Sequence, residues 1–365
     1  MSEKIPVTIL GATGTVGQKF VRLLAEHPWF EVAAVAASSA SAGRTYEEVA
    51  RWRENVPLPP AIGRMTVREC TGILPGRILF SALDAEVAGP IEQAFASAGA
   101  VVVTNARTHR MERDVPLLIP EVNGDHLTLI DCQRETRGWK GSILANPNCS
   151  TAALALALAP LHRAFGIERL FVSTLQAVSG AGYPGVPSLD ILGNVIPHIG
   201  GEEEKIERET RKILGTLSNG AVEPADFPVS VHTNRVAVVD GHMATVSVGF
   251  SRRVRPDEAM EALRDFRGSA RVAGLPSSPT PPIEVDERVD RPQPRLDVDR
   301  GGGMAVTVGR VRPCPVLDLR MVVLGHNTVR GAAGQGVQIA ELLVAEGRVD
   351  VGFDPEVSLW DLAAL

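Results

Sequence analysis

The sequence predicts an α/β protein of two domains: a doubly wound parallel sheet, then an α+β domain on a mixed or antiparallel sheet. Three observations predict it. Strand and helix signals alternate through the first part of the chain. Longer strand-like runs are grouped in the second part. The length, 365 residues, exceeds what one hydrophobic core usually supports. Residues 7–10 form an apolar run ending at Gly11, and residues 14–26 place Val16, Phe20, Leu23 and Leu24 on one helical face. Residues 31–37, 78–80 and 101–103 read as further strands and 86–98 as a helix. Such βαβ units lie in a parallel sheet with its ligand crevice at the strand C-termini. From residue 150 the character changes. Residues 170–178, 229–239 and 242–250 read as longer strands, the last two flanking Asp240-Gly241, a hairpin signal. Residues 277–303 read as a long exposed loop and 335–346 as a final helix. The expected domains are 1–150, completed by a C-terminal helix within about 330–365, and 151–329.

Composition bounds the function. A hydrophobic fraction of 44% with 22% charged residues excludes a disordered chain. The longest uncharged apolar run, Ala152 to Leu161, is too short to span a bilayer. Residues 1–6 lead straight into a strand, with no signal-peptide pattern. A net charge of −6 argues against nucleic acid or an acidic membrane surface as the main partner. The four cysteines, at 70, 132, 149 and 314, are too scattered for a disulfide framework or a zinc site. The expectation is a reduced, cytoplasmic chain with no metal.

Gly11, Ala12, Thr13, Gly14, Thr15, Val16 and Gly17 sit between the first strand and the first helix. Glycines there let the backbone approach a pyrophosphate, and the helix N-terminus offers N–H groups to it. This is the signature of a Rossmann-type dinucleotide site. An NAD enzyme usually carries Asp or Glu after the second strand for the ribose hydroxyls. Here the strand ends in a serine-rich turn, Ser38, Ser39 and Ser41, so NADP is favoured over NAD.

Asn146-Pro147-Asn148-Cys149-Ser150-Thr151 precedes a strongly helical apolar stretch. Cys149 therefore sits at or just before a helix N-terminus, with Ser150 or Thr151 near the cap. The helix dipole and first-turn N–H groups favour a thiolate, which predicts a lowered thiol pKa. The same N–H groups are placed to stabilise an oxyanion. Cys70 and Cys314 read as structural cysteines and Cys132 as a surface one. A thiolate with a dinucleotide site points to aldehyde oxidation, or acyl reduction, through a thioester.

Gly11 to Gly17, Asn146 to Thr151, Gln176 to Gly185, Arg235 to His242 and Gly325 to Gly334 together resemble the aspartate-semialdehyde dehydrogenase family, in its archaeal and fungal branch. The resemblance covers the whole chain in order. It implies NADP-dependent interconversion of L-aspartate 4-semialdehyde plus phosphate with L-4-aspartyl phosphate. It implies that Cys149 is the nucleophile, His242 the general acid/base with a pKa near neutrality, and Gln176 the residue that orients the substrate. It also implies that Arg235 grips the α-carboxylate, that Glu202 meets the ammonium, and that Lys205 and Arg110 meet the phosphate. Ser81, Ser179, Gly180 and Asn327 would line the cofactor. Arg235 is expected to share a face with Val239 and His242 across the hairpin. A homodimer or homotetramer through the second domain is a further implication.

The sequence departs from that family at Ala40, where an Arg is frequent, and at residues 334–339, where Ala, Ser and Asn are usual. A rival within the family, malonyl-CoA reductase, keeps the cysteine but has no ammonium for Glu202. A non-catalytic dinucleotide sensor has no use for Cys149, Gln176 and His242 together, and a cysteine hydrolase has none for the glycine loop.

Overall fold

The structure, a computed structural model, describes residues 4–349. The part of the expected C-terminal segment beyond residue 349 lies outside the described residues. The chain divides into two compact units. Among the described residues, the first comprises 4–118, 125–146 and 336–349, and the second 119–124 and 147–335.

The first unit is built on six parallel strands: β1 (Ile5–Leu10), β2 (Phe30–Ala37), β3 (Arg68–Glu69), β4 (Ile78–Ser81), β5 (Val101–Thr104) and β6 (Ser142–Ala145). Their order, β3-β2-β1-β4-β5-β6, is doubly wound and reverses between β1 and β4, the switch point at which such sheets bind ligands. The β4, β5 and β6 strands are buried throughout, as strands covered on both faces must be. Helix Thr15–Leu24 packs Phe20 against Phe80, with ring centroids 4.9 Å apart. The final helix, Gly334–Ala345, approaches the Phe20 ring. A Cβ on Gly336 would lie 2.9 Å from Phe20, which accounts for a glycine in one of the segments that departs from the family pattern.

The second unit is built on a mixed sheet. Its strands are β7 (Ile167–Gln176), β10 (Val229–Arg235), β11 (His242–Phe250), β12 (Ile283–Asp286), β13 (Val306–Pro313) and β14 (Leu319–Gly325), in the order β10-β7-β11-β14-β13-β12. A separate small hairpin joins β8 (Thr216–Ser218) to β9 (Ala221–Glu223). Helix Cys149–Phe165 packs on the sheet with every residue from Ser150 to Leu161 buried. That is why its sequence is apolar on all sides. Among the described residues no helix is long and apolar enough to cross a membrane.

Two local expectations fail. The Asp240-Gly241 hairpin is absent: β7 lies between β10 and β11, and it pairs parallel with the first and antiparallel with the second. Gly241 does adopt the left-handed conformation (φ 99), but the strands it separates are not neighbours. Nor is 277–303 an exposed loop throughout. It contains β12 and a set of ion pairs in which Asp286 and Asp297 each meet Arg300 at 2.7 Å and Asp297 also meets Arg291. The charges that suggested solvent exposure neutralise one another.

Candidate active site

The second unit gathers most of the expected chemistry at the ends of three neighbouring strands. Arg235, the last residue of β10, pairs in register with Gln176, the last of β7. Met243 of β11 pairs with Leu175, which brings His242 to the level of Gln176 on the other side. The three side chains thus form a row across adjacent strands, a closer grouping than a hairpin would give. All three are buried.

Ala177 holds the two outer members. Its carbonyl accepts from Arg235 Nη1 at 2.8 Å and its N–H donates to His242 Nδ1 at 3.1 Å. In the turn that follows β7, a Cβ on Gly180 would lie 2.8 Å from Arg235 Nη1 and 2.9 Å from His242 Nε2. A glycine is required because those two side chains occupy the space. Asn327 ties this turn to the loop before β11, its Nδ2 donating to Ser179 Oγ and its Oδ1 accepting from the Gly241 N–H, both at 2.8 Å.

His242 departs from the expected near-neutral titration. Burial, aided by the charges of Arg235 and His326, pushes its pKa from 6.5 down to about 3. The ring is therefore neutral at physiological pH. With Nδ1 accepting from Ala177, the single proton of the neutral ring resides on Nε2, a buried atom without a hydrogen-bond partner in the protein. That nitrogen is an unspent donor.

Cys149 is the first residue of its helix and is half-buried. The cap is Asn148, not Ser150 or Thr151. Its Oδ1 accepts from the Ser150 and Thr151 N–H groups at 2.9 and 3.3 Å. Those two donors are consequently spent on the cap and do not face an oxyanion, contrary to expectation. The charge of Arg235 interacts with both Cys149 and Glu202; burial nonetheless lowers the Arg235 pKa.

The Glu-Lys run is no solvated helix face. Helix Glu202–Ile213 buries Glu202, whose Oε1 accepts from Asn148 Nδ2 at 2.6 Å and, more weakly, from Gln176 Nε2 at 3.5 Å. Its Oε2 accepts from Lys205 Nζ at 3.1 Å. One carboxylate thus links the cysteine's cap, the glutamine and the lysine.

Segment 329–333, a buried π-helical turn, packs against Cys149. Arg330 is fully buried, bound to Glu121 at 2.7 and 3.1 Å and to the Met304 carbonyl at 2.6 Å. The next residue, Gly331, meets the nucleophile: a Cβ there would lie 2.8 Å from Cys149 Cα and Cβ. Because backbone atoms cannot swing aside, Gly331→Ala must displace Cys149. The expected result is a fall in turnover of about 10²-fold, the scale for an ångström of misplacement. Steady-state kinetics check it, with cofactor affinity unchanged.

The first unit carries the other expected residues. Gly11 is left-handed (φ 70), and a Cβ there would lie 2.6 Å from the Ala82 carbonyl, at the end of β4. Gly17 lets the helix rest on the loop, since its Cβ would meet Gly11 O at 2.3 Å. Gly14 is the N-cap and brings no side-chain acceptor, so the first-turn N–H groups beside Thr13, Thr15 and Val16 remain for an anion. Ser38 and Ser39 are exposed just beyond β2, and the Ser41 N–H closes the turn onto Ser38 O at 2.9 Å. Residues 38–41 contain no carboxylate. Ser81 meets this edge through its backbone only, its buried hydroxyl donating to Glu92 at 2.5 Å. Arg110 donates to the Asn105 carbonyl at 2.8 Å, just past β5 and at the same edge.

Residues 6–130 match the family model described as semialdehyde dehydrogenase, NAD binding domain, and residues 158–330 match the semialdehyde dehydrogenase, dimerisation domain. That succession defines the class, the semialdehyde dehydrogenases. Within it, the chain is 51% identical over 343 residues to the aspartate-semialdehyde dehydrogenase of Methanothermobacter thermautotrophicus, covering 93% of this chain and 99% of that protein. It is 48% identical to that of Cryptococcus neoformans, covering 95% and 98%. Among solved structures, Candida albicans aspartate semialdehyde dehydrogenase with NADP superposes with a TM-score of 0.88 at 43% identity, covering 95% of this chain and all of that one. Vibrio cholerae aspartate semialdehyde dehydrogenase II, complexed with ASA, gives 0.75 at 29% identity, covering 94% and 99%. The chain belongs to the aspartate-semialdehyde dehydrogenase family.

Proposed function

We propose that this oxidoreductase interconverts L-aspartate 4-semialdehyde plus phosphate with L-4-aspartyl phosphate through a thioester on Cys149. The observation that carries the proposal is the convergence of Cys149, Gln176, Arg235 and His242 in a chain so similar to named aspartate-semialdehyde dehydrogenases. The cofactor is NADP, held by the Gly11 to Gly17 loop and the serine turn; when bound, it exchanges a hydride with the carbon carried on sulfur. We assign the pyrophosphate-binding loop and the serine turn to the first unit, the chemistry to the second, and a cofactor-lining role to Ser81, Ser179, Gly180 and Asn327.

In the biosynthetic direction the Cys149 sulfur attacks the acyl carbon and phosphate departs with the electron pair of the broken C–O bond. The helix N-terminus and the Arg235 charge favour the anionic sulfur. Arg235 binds the α-carboxylate, Glu202 receives the ammonium, and Lys205 and Arg110 meet the phosphate. Gln176 orients the reacting group. The Nε2 proton of His242 serves the oxygen that gains charge when sulfur adds to the carbonyl. The enzyme works in the cytoplasm as a homodimer or homotetramer, in the threonine, methionine and lysine routes.

The test is a spectrophotometric assay of the purified protein with NADP⁺, phosphate and aspartate semialdehyde, run beside malonyl-CoA with NADPH. Turnover in the first mixture alone supports the proposal. Turnover in the second alone assigns the CoA thioester chemistry instead.

A further inference from the structure

The start of the nucleophile's helix is secured from a second helix. In a capping box the N–H of the N-cap residue is taken by a Glu or Gln three residues on. After Asn148 that position is Thr151, which has no carboxylate or amide to offer. The Asn148 N–H donates instead to Glu209 Oε2 at 2.6 Å, a buried contact 61 residues away in sequence. Glu209 is 2% exposed and lies two turns after Glu202, on the same side of helix Glu202–Ile213. Glu202 takes the Asn148 side-chain amide and Glu209 its backbone, while Oδ1 caps the helix. The backbone N–H, the side-chain nitrogen and the side-chain oxygen of Asn148 are each thereby engaged, and the following residue is Cys149.

We propose that Glu209 is a positioning residue for Cys149. It completes the cap of the catalytic helix from outside that helix, and so fixes the direction in which the sulfur leaves the backbone toward Gln176 and His242. The proposal rests on the reading of Cys149 as nucleophile. What it requires of residue 209 is an acceptor oxygen at the end of a three-carbon reach. Glutamine supplies one, aspartate falls a methylene short, and alanine has none.

The test compares E209A, E209D and E209Q with the wild-type full-length protein. The readouts are kcat in the NADP⁺, phosphate and aspartate semialdehyde assay, KM for NADP⁺, and the rate at which iodoacetamide labels Cys149, followed by peptide mass mapping. E209A and E209D are expected to lose about tenfold or more in kcat and to label at a changed rate, with KM for NADP⁺ within about twofold. E209Q is expected to stay within about threefold of wild type in both kcat and labelling. A merely structural role would lower the thermal midpoint and leave kcat and labelling unchanged well below it; that result overturns the proposal. So does an E209Q variant as impaired as E209D, which would show that charge rather than reach is what matters. If E209A does not fold, the contrast between E209D and E209Q decides alone. Should wild type show no turnover with these substrates, the functional reading falls, and the labelling rates still decide the role of Glu209.

Discussion

Cys149→Ala is expected to abolish turnover in both directions while leaving NADP binding within about twofold of wild type. The sulfur is asked to do two things that no neighbour can take over: attack the carbonyl and carry the acyl group afterwards. Gln176, Arg235 and His242 can hold and polarise a substrate, but none is a nucleophile in its buried, hydrogen-bonded state. The loss should therefore reach the assay floor rather than a partial rate. Folding is not the reason, because alanine is the best helix former and position 149 is the first residue of its helix and only half-buried. Cofactor affinity should survive, since the glycine loop belongs to the first unit and Cys149 to the second. Steady-state assays beside calorimetric titration with NADP⁺ check both parts. Measurable turnover in the variant would refute a covalent mechanism.

His242→Asn is expected to slow turnover by about 10²–10⁴-fold, the range for removing a positioned proton donor. Iodoacetamide should still label Cys149, because the thiol is untouched. An unchanged rate would remove His242 from the chemistry. The same variant tests the electrostatics. The free ring titrates near 6.5 and the buried one near 3, so between those values the unfolded chain binds the extra proton. The component of stability that this ring contributes is fully present above pH 6.5 and is lost progressively as pH falls toward 3. Removing the imidazole removes that component, and the acid limb of thermal midpoint against pH should be shallower in the variant. An equal slope in both proteins would show that the ring is not held neutral.

The alternating first unit was legible because each strand and helix carries its own period, and parallel order follows from alternation. β3 and β6 were not: β3 is two residues long, Arg68-Glu69, with no apolar residue, and β6, Ser-Ile-Leu-Ala, lacks the run of β-branched residues that marks β5. The mixed sheet was legible in kind but not in order. A two-residue Asp-Gly turn advertises a hairpin, and nothing local to 229–250 reveals that β7, from upstream, enters between the two strands. The site shows the same limit. Cys149 declared itself through its position before an apolar helix, and the glycine loop through its context. Gln176, Arg235, Glu202 and Lys205 were reached through family resemblance, because a lone polar residue at a strand end or in a charged run has no distinguishing pattern. Glu209 carried no signal, and Gly331 lay within a family-like block, Gly325 to Gly334, with nothing to mark its contact with Cys149. One acts through a peptide N–H 61 residues away and the other by lacking a side chain, and neither property has a periodicity.

The apolar helix that begins at Cys149 is buried without a break from Ser150 to Leu161. Its amide hydrogens from Ala153 to Ala159 are expected to reach deuterium only when the whole second unit opens, because the residues that carry them are buried. The reactive residue is rooted in ground that does not fray. Heat or urea should accordingly leave Cys149 held on its helix for as long as the second unit stays folded, so that iodoacetamide labelling of that thiol changes only when the unit itself melts.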